Sequence, residues 1–413
     1  MLPPVLEIYV VWRRGDDAGA EVANEFIEHF HGARYTGLIG GAVEVYVRSA
    51  GWRSSADAPR PIPVPGREPP NGVPQAEVVA VVPVLGLEMA RAVEQKNNPW
   101  RAYAEDIVAA QQASPKRVCV FPWIENPAAA DGTQLGALFG RFQGIGAVPA
   151  DWPAEPRCQL LCRDLAQAIA QFSDDRRLQI FISHTKHPAT GEEKPVSVLI
   201  DRVRWIIAHS RLHEFFDAHD LEPGRDWDRE LRAHAATGAL LALRTDLYSS
   251  REWCQREVRI AKENGLPVVT LDALSAGEER GSFLMDHVPR VHLAKEGGNR
   301  SDADIRRGLG LVVDECLKRA LWRRQRRLAE AAGLDIAWWA PHAPEPTTLV
   351  NWLESQNLKQ LRRRKSALSG LRVLHPDPPL GPDEKAVLDK LARLSGLKPL
   401  DIMTPRLLAA RGG

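Results

Sequence analysis

The sequence is poor in cysteine and has no excess of charge of either sign. Its five cysteines are an odd number, scattered at positions 119, 158, 162, 254 and 316. This usage argues against a disulfide framework and indicates a reducing compartment. Cys158 and Cys162 are four residues apart, but no second Cys or His pair follows at metal-ligand spacing. We therefore expect two small buried helix residues there and no metal site.

Long apolar runs are also missing. No stretch is long enough to span a membrane and no signal-peptide pattern is visible, so a cytoplasmic protein without membrane contact is expected. The 54 basic and 53 acidic residues give a net charge of +1, which provides no strong attraction to nucleic acid or membranes. The length of 413 residues, with 44% apolar residues, favours a globular protein of two or three domains.

Strands alternate with helices in the first third of the chain. Apolar periodicity predicts strands at 7–12, 43–47, 78–85 and 117–121 and helices at 20–30 and 100–112. This order is typical of a parallel, doubly wound sheet. Residues 51–74, rich in Pro, Arg and Ser, are expected to form a long loop. Residues 127–156, rich in Ala, Gly and Pro, are expected to be a linker to a helix at 158–172.

One stretch in the centre of the chain, residues 243–270, combines structural and chemical signals. It predicts the end of a strand, then a helix, then a second strand at 266–270. Ser249 and Glu252 have the spacing of a capping box at the start of the helix, and Asn264-Gly265 marks its end.

Trp253 and Glu257 are the candidate functional pair of this helix. They are four residues apart, so they lie on one helical face and project together. A carboxylate beside an indole near the carboxyl end of a strand suits chemistry on a planar cationic ligand. The structural alternatives are a solvated Glu257 near the helix N-terminus and a Trp253 that anchors the core. Cys254 is expected to be a small buried residue and not a nucleophile.

The elements before this stretch extend the same α/β pattern. Apolar spacing predicts strands at 178–183 and 212–216 and helices at 196–209 and 227–236. Three segments of this part, in order, resemble a TIR (Toll/interleukin-1 receptor) domain over residues 178–274. These segments are FISHTK at 181–186, FFDAHDLEPGRDW at 215–227 and SSREWCQRE at 249–257. The third resembles the version in bacterial and plant TIR enzymes that cleave NAD, whereas signalling-only TIR domains usually lack its glutamate.

The resemblance implies a fold, a substrate and roles for particular residues. The fold would be a flavodoxin-like parallel sheet, and NAD would be a substrate, with no bound cofactor or metal. Glu257 matches the catalytic glutamate, which stabilises an oxocarbenium-like state as the glycosidic bond breaks. Trp253 matches the aromatic residue beside nicotinamide. The other matched residues line or close the pocket: Ser183, Thr185 and Lys186 after the first strand, and Asp217 and Trp227 at the two ends of a closing loop.

The first third resembles a diverged copy of the same domain. EIYVVWRRGDD is similar to the opening strand and turn, and VVAVVPVLGLEM is similar to the third strand. Four residues after Trp100 stands Ala104 and not an acid, so we expect this copy to be catalytically silent. An unrelated small α/β domain is the alternative. The predicted organisation is a TIR-like domain at 1–126, a linker and helix at 127–176, a TIR domain at 177–295 and a further region at 296–413.

The C-terminal third predicts a long helix and a further α/β unit. The helix covers 302–332, after a segment at 282–293 that is expected to finish the central sheet. Four arginines at 323, 324, 326 and 327 favour a solvated face over a nucleic-acid site. Strands are predicted at 335–339, 372–375 and 400–403 and helices at 347–355 and 383–394. HPDPPLG at 375–381 is expected to shape a crevice at a strand end, for a small ligand or another subunit.

Three functional hypotheses follow. The first is an NAD glycohydrolase. Bacterial enzymes that it resembles act in antiviral defence. The resemblance also implies activation by self-assembly of TIR domains into a homo-oligomer, with a nucleotide or protein trigger. The second is a non-catalytic adaptor or scaffold that assembles signalling partners. The third is a receptor whose terminal domains bind a nucleotide signal.

Overall fold

The computed structural model describes most of the chain. The described residues are 5–32, 35, 43–51, 54, 57–65, 75–146, 156–174, 179–185, 196–209, 216–217, 238–278, 280–296, 299–356 and 370–411. The predicted helix at 227–236, and with it Trp227, lies outside this part, as does Lys186. No helix within the described part has both the length and the apolar composition of a bilayer span.

The first sheet is parallel and follows the predicted order. Its strands are β1 (Leu6–Val11), β2 (Val43–Arg48), β3 (Val78–Leu85), β4 (Val118–Val120) and β5 (Trp123–Ile124). They are arranged β2-β1-β3-β4, with β5 paired to the end of β3. Every residue of β3 is buried, because helices cover both faces of the sheet, as its continuous apolar run predicts. The predicted boundaries of β3 are confirmed.

Helices flank this sheet, including three that the sequence analysis did not identify. The helices are α1 (Ala18–Phe30), α2 (Leu87–Glu94), α3 (Pro99–Ala113), α4 (Pro127–Ala130), α5 (Gln134–Phe139) and α6 (Arg157–Asp174). The short helices α4 and α5 lie in the stretch expected to be a linker. Ala129, Leu135 and Phe139 are nevertheless fully buried in the core beneath α2 and α3. This part of the chain therefore completes the first α/β unit.

The second sheet is also parallel. Its strands are β6 (Gln179–His184), β7 (Phe216–Asp217), β8 (Gly238–Arg244), β9 (Val268–Asp272) and β10 (Arg290–His292), arranged β10-β9-β8-β6-β7. In chain order this is 2-1-3-4-5, the flavodoxin-like arrangement. Helices α7 (Val196–Ala208) and α8 (Glu252–Glu263) belong to this unit. The predicted mixed α/β class with parallel sheets is confirmed.

In the order of the chain, a long helix lies between the second sheet and a third. This helix is α9 (Asp302–Ala331), and it follows a small antiparallel ribbon of β11 (Lys295–Glu296) and β12 (Asn299–Arg300). The third sheet contains β13 (Trp338–Trp339), β14 (Leu371–Leu374) and β15 (Leu400–Met403), all parallel, with β14 in the middle. Its helices are α10 (Pro346–Ser355), α11 (Pro382–Leu394) and α12 (Pro405–Ala410).

One apolar core is shared by all three parallel sheets. It contains Ile8 of β1, Ile182 of β6 and Leu374 of β14, together with Leu309 and other side chains of α9. The opposite face of each sheet packs in a separate core of its own. Helix α9 is therefore buried along much of its length, which explains why its apolar positions extend beyond a single stripe.

The arginines near the end of α9 are not all on a solvated face. Arg326 is exposed and pairs with Glu330 one helical turn further on, as expected. Arg324 is instead buried, and its Nη1 lies 3.1 Å from a carboxylate oxygen of Glu77, just before β3. The expectation was wrong for Arg324, because this side of α9 packs against the first sheet.

Gly308 allows α9 to approach β9 closely. A Cβ at this position would lie 2.2 Å from Cδ2 of Leu271, a fully buried side chain that would have to shift within the core. We expect Gly308→Ala to lower the free energy of unfolding by about 1–3 kcal/mol through overpacking. Gly310 is the matched control, since its Cβ would meet nothing within 4 Å.

Chemical denaturation of both variants tests this close approach. Gly310→Ala is expected to leave stability unchanged or to raise it by up to about 1 kcal/mol, because alanine favours a helix over glycine. Equal stabilities for the two variants would contradict tight packing of α9 on β9.

Candidate active site

Glu257 lies in the second turn of α8, at the carboxyl edge of the second sheet. Although charged, the residue is only 5% exposed. The helix begins at Glu252 with Arg251 as its N-cap, and no side chain caps it. The predicted capping box is therefore wrong. Ser249 belongs to a short 3-10 helix (Tyr248–Ser250), and its hydroxyl donates to Glu278 at 2.6 Å.

Both carboxylate oxygens of Glu257 accept hydrogen bonds from neighbouring side chains. The indole Nε1–H of Trp253 donates to Oε1 at 2.6 Å, which confirms that the two residues share a helical face. The hydroxyl of Ser183, at the end of β6, donates to Oε2. Two donors aimed at one buried carboxylate fix its orientation.

Tyr248 extends this chain of hydrogen bonds and was not identified from the sequence. Its hydroxyl oxygen lies 2.5 Å from Oγ of Ser183. Ser183 has one hydroxyl hydrogen, which it gives to Glu257, so Tyr248 must be the donor to Ser183. Burial, with Cys254 and Glu257 nearby, holds the pKa of Tyr248 well above its usual value of 10. Tyr248 therefore keeps its proton at neutral pH and remains a donor.

The indole of Trp253 is hydrogen-bonded through its nitrogen, while other parts of the residue are exposed to solvent. Its Nε1–H is held by Glu257, yet 48% of the residue is exposed. The guanidinium of Arg256 lies 5.6 Å from the ring centroid. Trp253 is thus not a core residue, and part of its ring is accessible beside the buried carboxylate. Such a ring offers a surface on which a flat heterocycle can stack.

Of the four other predicted site residues, only Thr185 has a described side chain. Thr185 is buried, and its Oγ1 lies 3.1 Å from Oγ1 of Thr245, so this pair joins the ends of β6 and β8. Asp217 ends β7 and pairs with Ile180 of β6, but its side chain lies outside the described part. Lys186 and Trp227 also lie outside it. The structure therefore brings Ser183, Trp253 and Glu257 together.

An ionic network supports the loops beside this cluster. Arg244, the last residue of β8, pairs with Glu278 and lies 3.5 Å from Asp272 at the end of β9. The carboxylate of Asp246 accepts the backbone N–H groups of residues 275–277 at 2.8–3.2 Å. Because Glu278 also receives the hydroxyl of Ser249, the network fixes the turn that carries Tyr248.

One cysteine, Cys158, is more exposed than the sequence predicts, whereas Cys162 and Cys254 are buried as expected. Cys254 is buried as expected, and burial raises the pKa of its thiol to about 12, with the charge of Glu257 adding to the effect. Cys162 is buried too, but Cys158 is exposed, so the expectation for Cys158 was wrong. Cys158 is on the solvent side of α6.

We expect iodoacetamide to label Cys158 alone in the native protein at pH 8. Alkylation requires an accessible thiolate, and the other four cysteines are buried. Burial also raises the pKa of Cys119, Cys162 and Cys254. Partial burial raises the pKa of Cys158 as well, so its labelling is expected to be slow but selective. Mass spectrometry of tryptic peptides measures the labelling, and Cys158→Ser should reduce it to background. Rapid modification of Cys254 in the folded protein would contradict the tight packing of α8 on its sheet.

The fold and this cluster define a parallel α/β protein with a buried carboxylate at a strand-end edge. No group of three or more His, Cys, Asp or Glu residues within the described part is arranged to hold a metal ion. No protein-family model matches the chain, and no curated protein matches it either. The chemistry must therefore be inferred from the cluster itself.

Proposed function

We propose that the protein is an NAD+ glycohydrolase in which Glu257 is the catalytic carboxylate. The environment of Glu257 supports this proposal: a buried, doubly hydrogen-bonded carboxylate lies beside the half-exposed ring of Trp253. The location also suits it, since parallel α/β sheets bind ligands at the carboxyl ends of their strands.

The chemistry would use charge stabilisation and no protein nucleophile. As the bond between C1′ and the nicotinamide nitrogen breaks, the electron pair passes to the positively charged ring, so nicotinamide leaves as a neutral molecule. Positive charge then develops on the ribose, where the carboxylate of Glu257 would stabilise it. Water adds to C1′ and releases a proton, which gives ADP-ribose. The ring of Trp253 would stack beside nicotinamide.

Regulation by self-association is part of this proposal. A cytoplasmic enzyme that destroys NAD+ must be inactive until it is needed, and assembly of copies through the second α/β unit would supply that control. The near-zero net charge supports protein or small-molecule partners over nucleic acid. A role in bacterial antiviral defence, with a nucleotide or protein trigger, fits this mode of control.

A nicotinamide-release assay across protein concentration tests the function. Purified full-length protein is incubated with NAD+, and nicotinamide is followed by chromatography while light scattering reports the oligomeric state. Release per protein molecule is expected to rise as oligomers form. If oligomers form and no nicotinamide is released, the enzyme proposal fails, and the adaptor or scaffold function replaces it.

Tyr248→Phe tests the hydrogen-bond chain behind Glu257. The variant removes only the hydroxyl that donates to Ser183, so Ser183, and through it one carboxylate oxygen of Glu257, is oriented less strictly. We expect kcat to fall about tenfold, with KM nearly unchanged, since the substrate is not contacted by Tyr248. Tyr103→Phe, which loses a hydroxyl in the first α/β unit, is the control and should keep full activity. A Tyr248→Phe variant that is as active as wild type would remove Tyr248 from the site.

A further inference from the structure

A cavity in the first α/β unit lies between α3 and the segment 60–64, which we call the strap. Its volume is about 180 Å³, and the buried side chains of Val81 in β3 and Val118 in β4 line its inner end. Pro61 of the strap and Asp106 of α3 are exposed, so the cavity opens to solvent between strap and helix. It lies beneath α3 and away from the carboxyl edge of the sheet, because Val118 is the first residue of β4.

Apolar side chains form most of the wall of this cavity. Those contributed by the strap and by α3 include Ile62, Val64, Ile107 and Ala110. The hydroxyl of Tyr103, which also lines the cavity, donates to the carbonyl oxygen of Arg60 at 3.2 Å. Burial raises the pKa of Tyr103, so the hydroxyl remains a donor at neutral pH. Because an apolar cavity stays dry and takes up apolar molecules such as benzene, the wall suits the apolar part of a ligand.

The strap keeps the cavity open. Proline has a fixed φ angle, so Pro61 and Pro63 make the strap stiff. The hydrogen bond from Tyr103 to Arg60 ties the strap to α3, and Ile62 packs against the core of this unit. A preformed cavity loses little conformational entropy when a ligand enters, which favours the binding of even a small molecule.

Asp106 is the one charged side chain among the described residues that line the cavity. Within the described part of the chain no hydrogen bond or ion pair engages its carboxylate, whereas the neighbouring Glu105 pairs with Arg101 at 3.0 Å. A carboxylate at the opening of an apolar cavity attracts a cation whose body is apolar. Since Asp106 is exposed, such a cation keeps part of its hydration and avoids the cost of a buried charge.

The volume sets the size of the ligand. A cavity of about 150 Å³ accommodates benzene, whereas pockets for drug-sized ligands have volumes of about 300–1,000 Å³. With its volume of about 180 Å³, this cavity holds a single ring or a short branched alkyl group. It is too small for a nucleotide.

We propose that the cavity between α3 and the strap binds a small primary amine, with a single ring or a branched alkyl group inside and the ammonium group beside Asp106. The ammonium group donates to the carboxylate at the opening, and the apolar body displaces no bound water from the dry interior. The site gives the first α/β unit a ligand-binding role. It does not depend on the function proposed for Glu257.

Thermal unfolding of the full-length protein tests the proposal with probes of similar size and opposite charge. Phenethylamine is expected to raise Tm by about 1–3 °C at about 10 mM, because it binds the folded protein alone. Phenylacetate, which Asp106 repels, should bind about three to ten times more weakly. Isoamylamine distinguishes the two apolar bodies: a similar rise indicates an alkyl amine, and a rise with phenethylamine alone indicates a ring. Equal effects of phenethylamine and phenylacetate, or no effect of either amine, would overturn the proposal.

Substitutions in α3 locate the effect. Ala110→Leu fills the cavity and should abolish the rise in Tm with phenethylamine. Ala113→Leu makes the same change at an exposed position of α3 that does not line the cavity, so it is the control and should keep the rise. Glu257→Gln controls for binding of the amine beside Trp253 and should keep the rise as well. A full response in a folded Ala110→Leu variant would refute the site.

Asp106→Asn tests the charge and keeps the proposal testable if Ala110→Leu does not fold. Asp106 is exposed, so the variant should fold as wild type does. Without the carboxylate, phenethylamine and phenylacetate should bind equally well. An unchanged preference for the amine in this variant would exclude Asp106 as its partner and overturn the proposal.

Discussion

Glu257→Gln is expected to lower nicotinamide release at least about a hundredfold, because the amide has no charge with which to stabilise a developing oxocarbenium ion. Glutamine has nearly the same size, and its carbonyl oxygen can still accept from Trp253. Its amide nitrogen would face the hydroxyl of Ser183, which could then accept where it now donates. The variant should therefore fold, with a modest loss of stability.

Glu252→Gln provides the control for this substitution. It makes the same chemical change on the same helix, but Glu252 is exposed in the first turn of α8. Its activity should remain within about twofold of wild type. Nicotinamide release is measured by chromatography and folding by circular dichroism. Full activity in a folded Glu257→Gln variant would exclude Glu257 as the catalytic group.

Lys262→Met is expected to lower the free energy of unfolding by about 3–5 kcal/mol, because it leaves the charge of Glu345 buried without its partner. Nζ of Lys262, in α8, lies 2.9 Å from Oε2 of Glu345, and the two side chains are only 5% and 6% exposed. Glu345 also caps α10, so this ion pair joins the second α/β unit to the third.

A double substitution tests whether the loss of stability in Lys262→Met comes from the unpaired charge of Glu345 or from the lost attraction between the two charges. Lys262→Met with Glu345→Gln removes both charges but keeps a capping oxygen for α10, so most of the lost stability should return. Arg326→Met breaks an exposed pair with Glu330 and should cost less than about 0.5 kcal/mol. Urea denaturation monitored by tryptophan fluorescence measures all of these variants. If the double variant were no more stable than Lys262→Met, the unpaired charge would not explain the loss.

Much of the fold could be predicted because its signals are local. The continuous apolar run of β3 is found at the predicted residues, since a strand buried on both faces needs no partner to be recognised. β15 also lies at the predicted residues, although two of its four residues are only partly buried. The contact between Trp253 and Glu257 was also predictable, because helical geometry alone places residues four apart on one face.

The errors concern contacts between residues that are distant in the chain. Ser249 does not cap α8, because Glu278, 29 residues later, takes its hydroxyl. Tyr248 reaches Ser183 across 65 residues, and no local pattern indicates that contact. The composition of α4 and α5 resembles a linker, and only the apolar face of the first sheet makes them part of a core.

The position of α9 has a consequence for truncated forms of the protein. A fragment cut at residue 295, where motifs alone would end the second unit, loses the helix against which Leu271 and Val291 are packed. Those side chains would then be in contact with water, and the fragment would be prone to aggregate. The second α/β unit is therefore best regarded as one part of a larger body whose stability depends on residues far beyond its last strand.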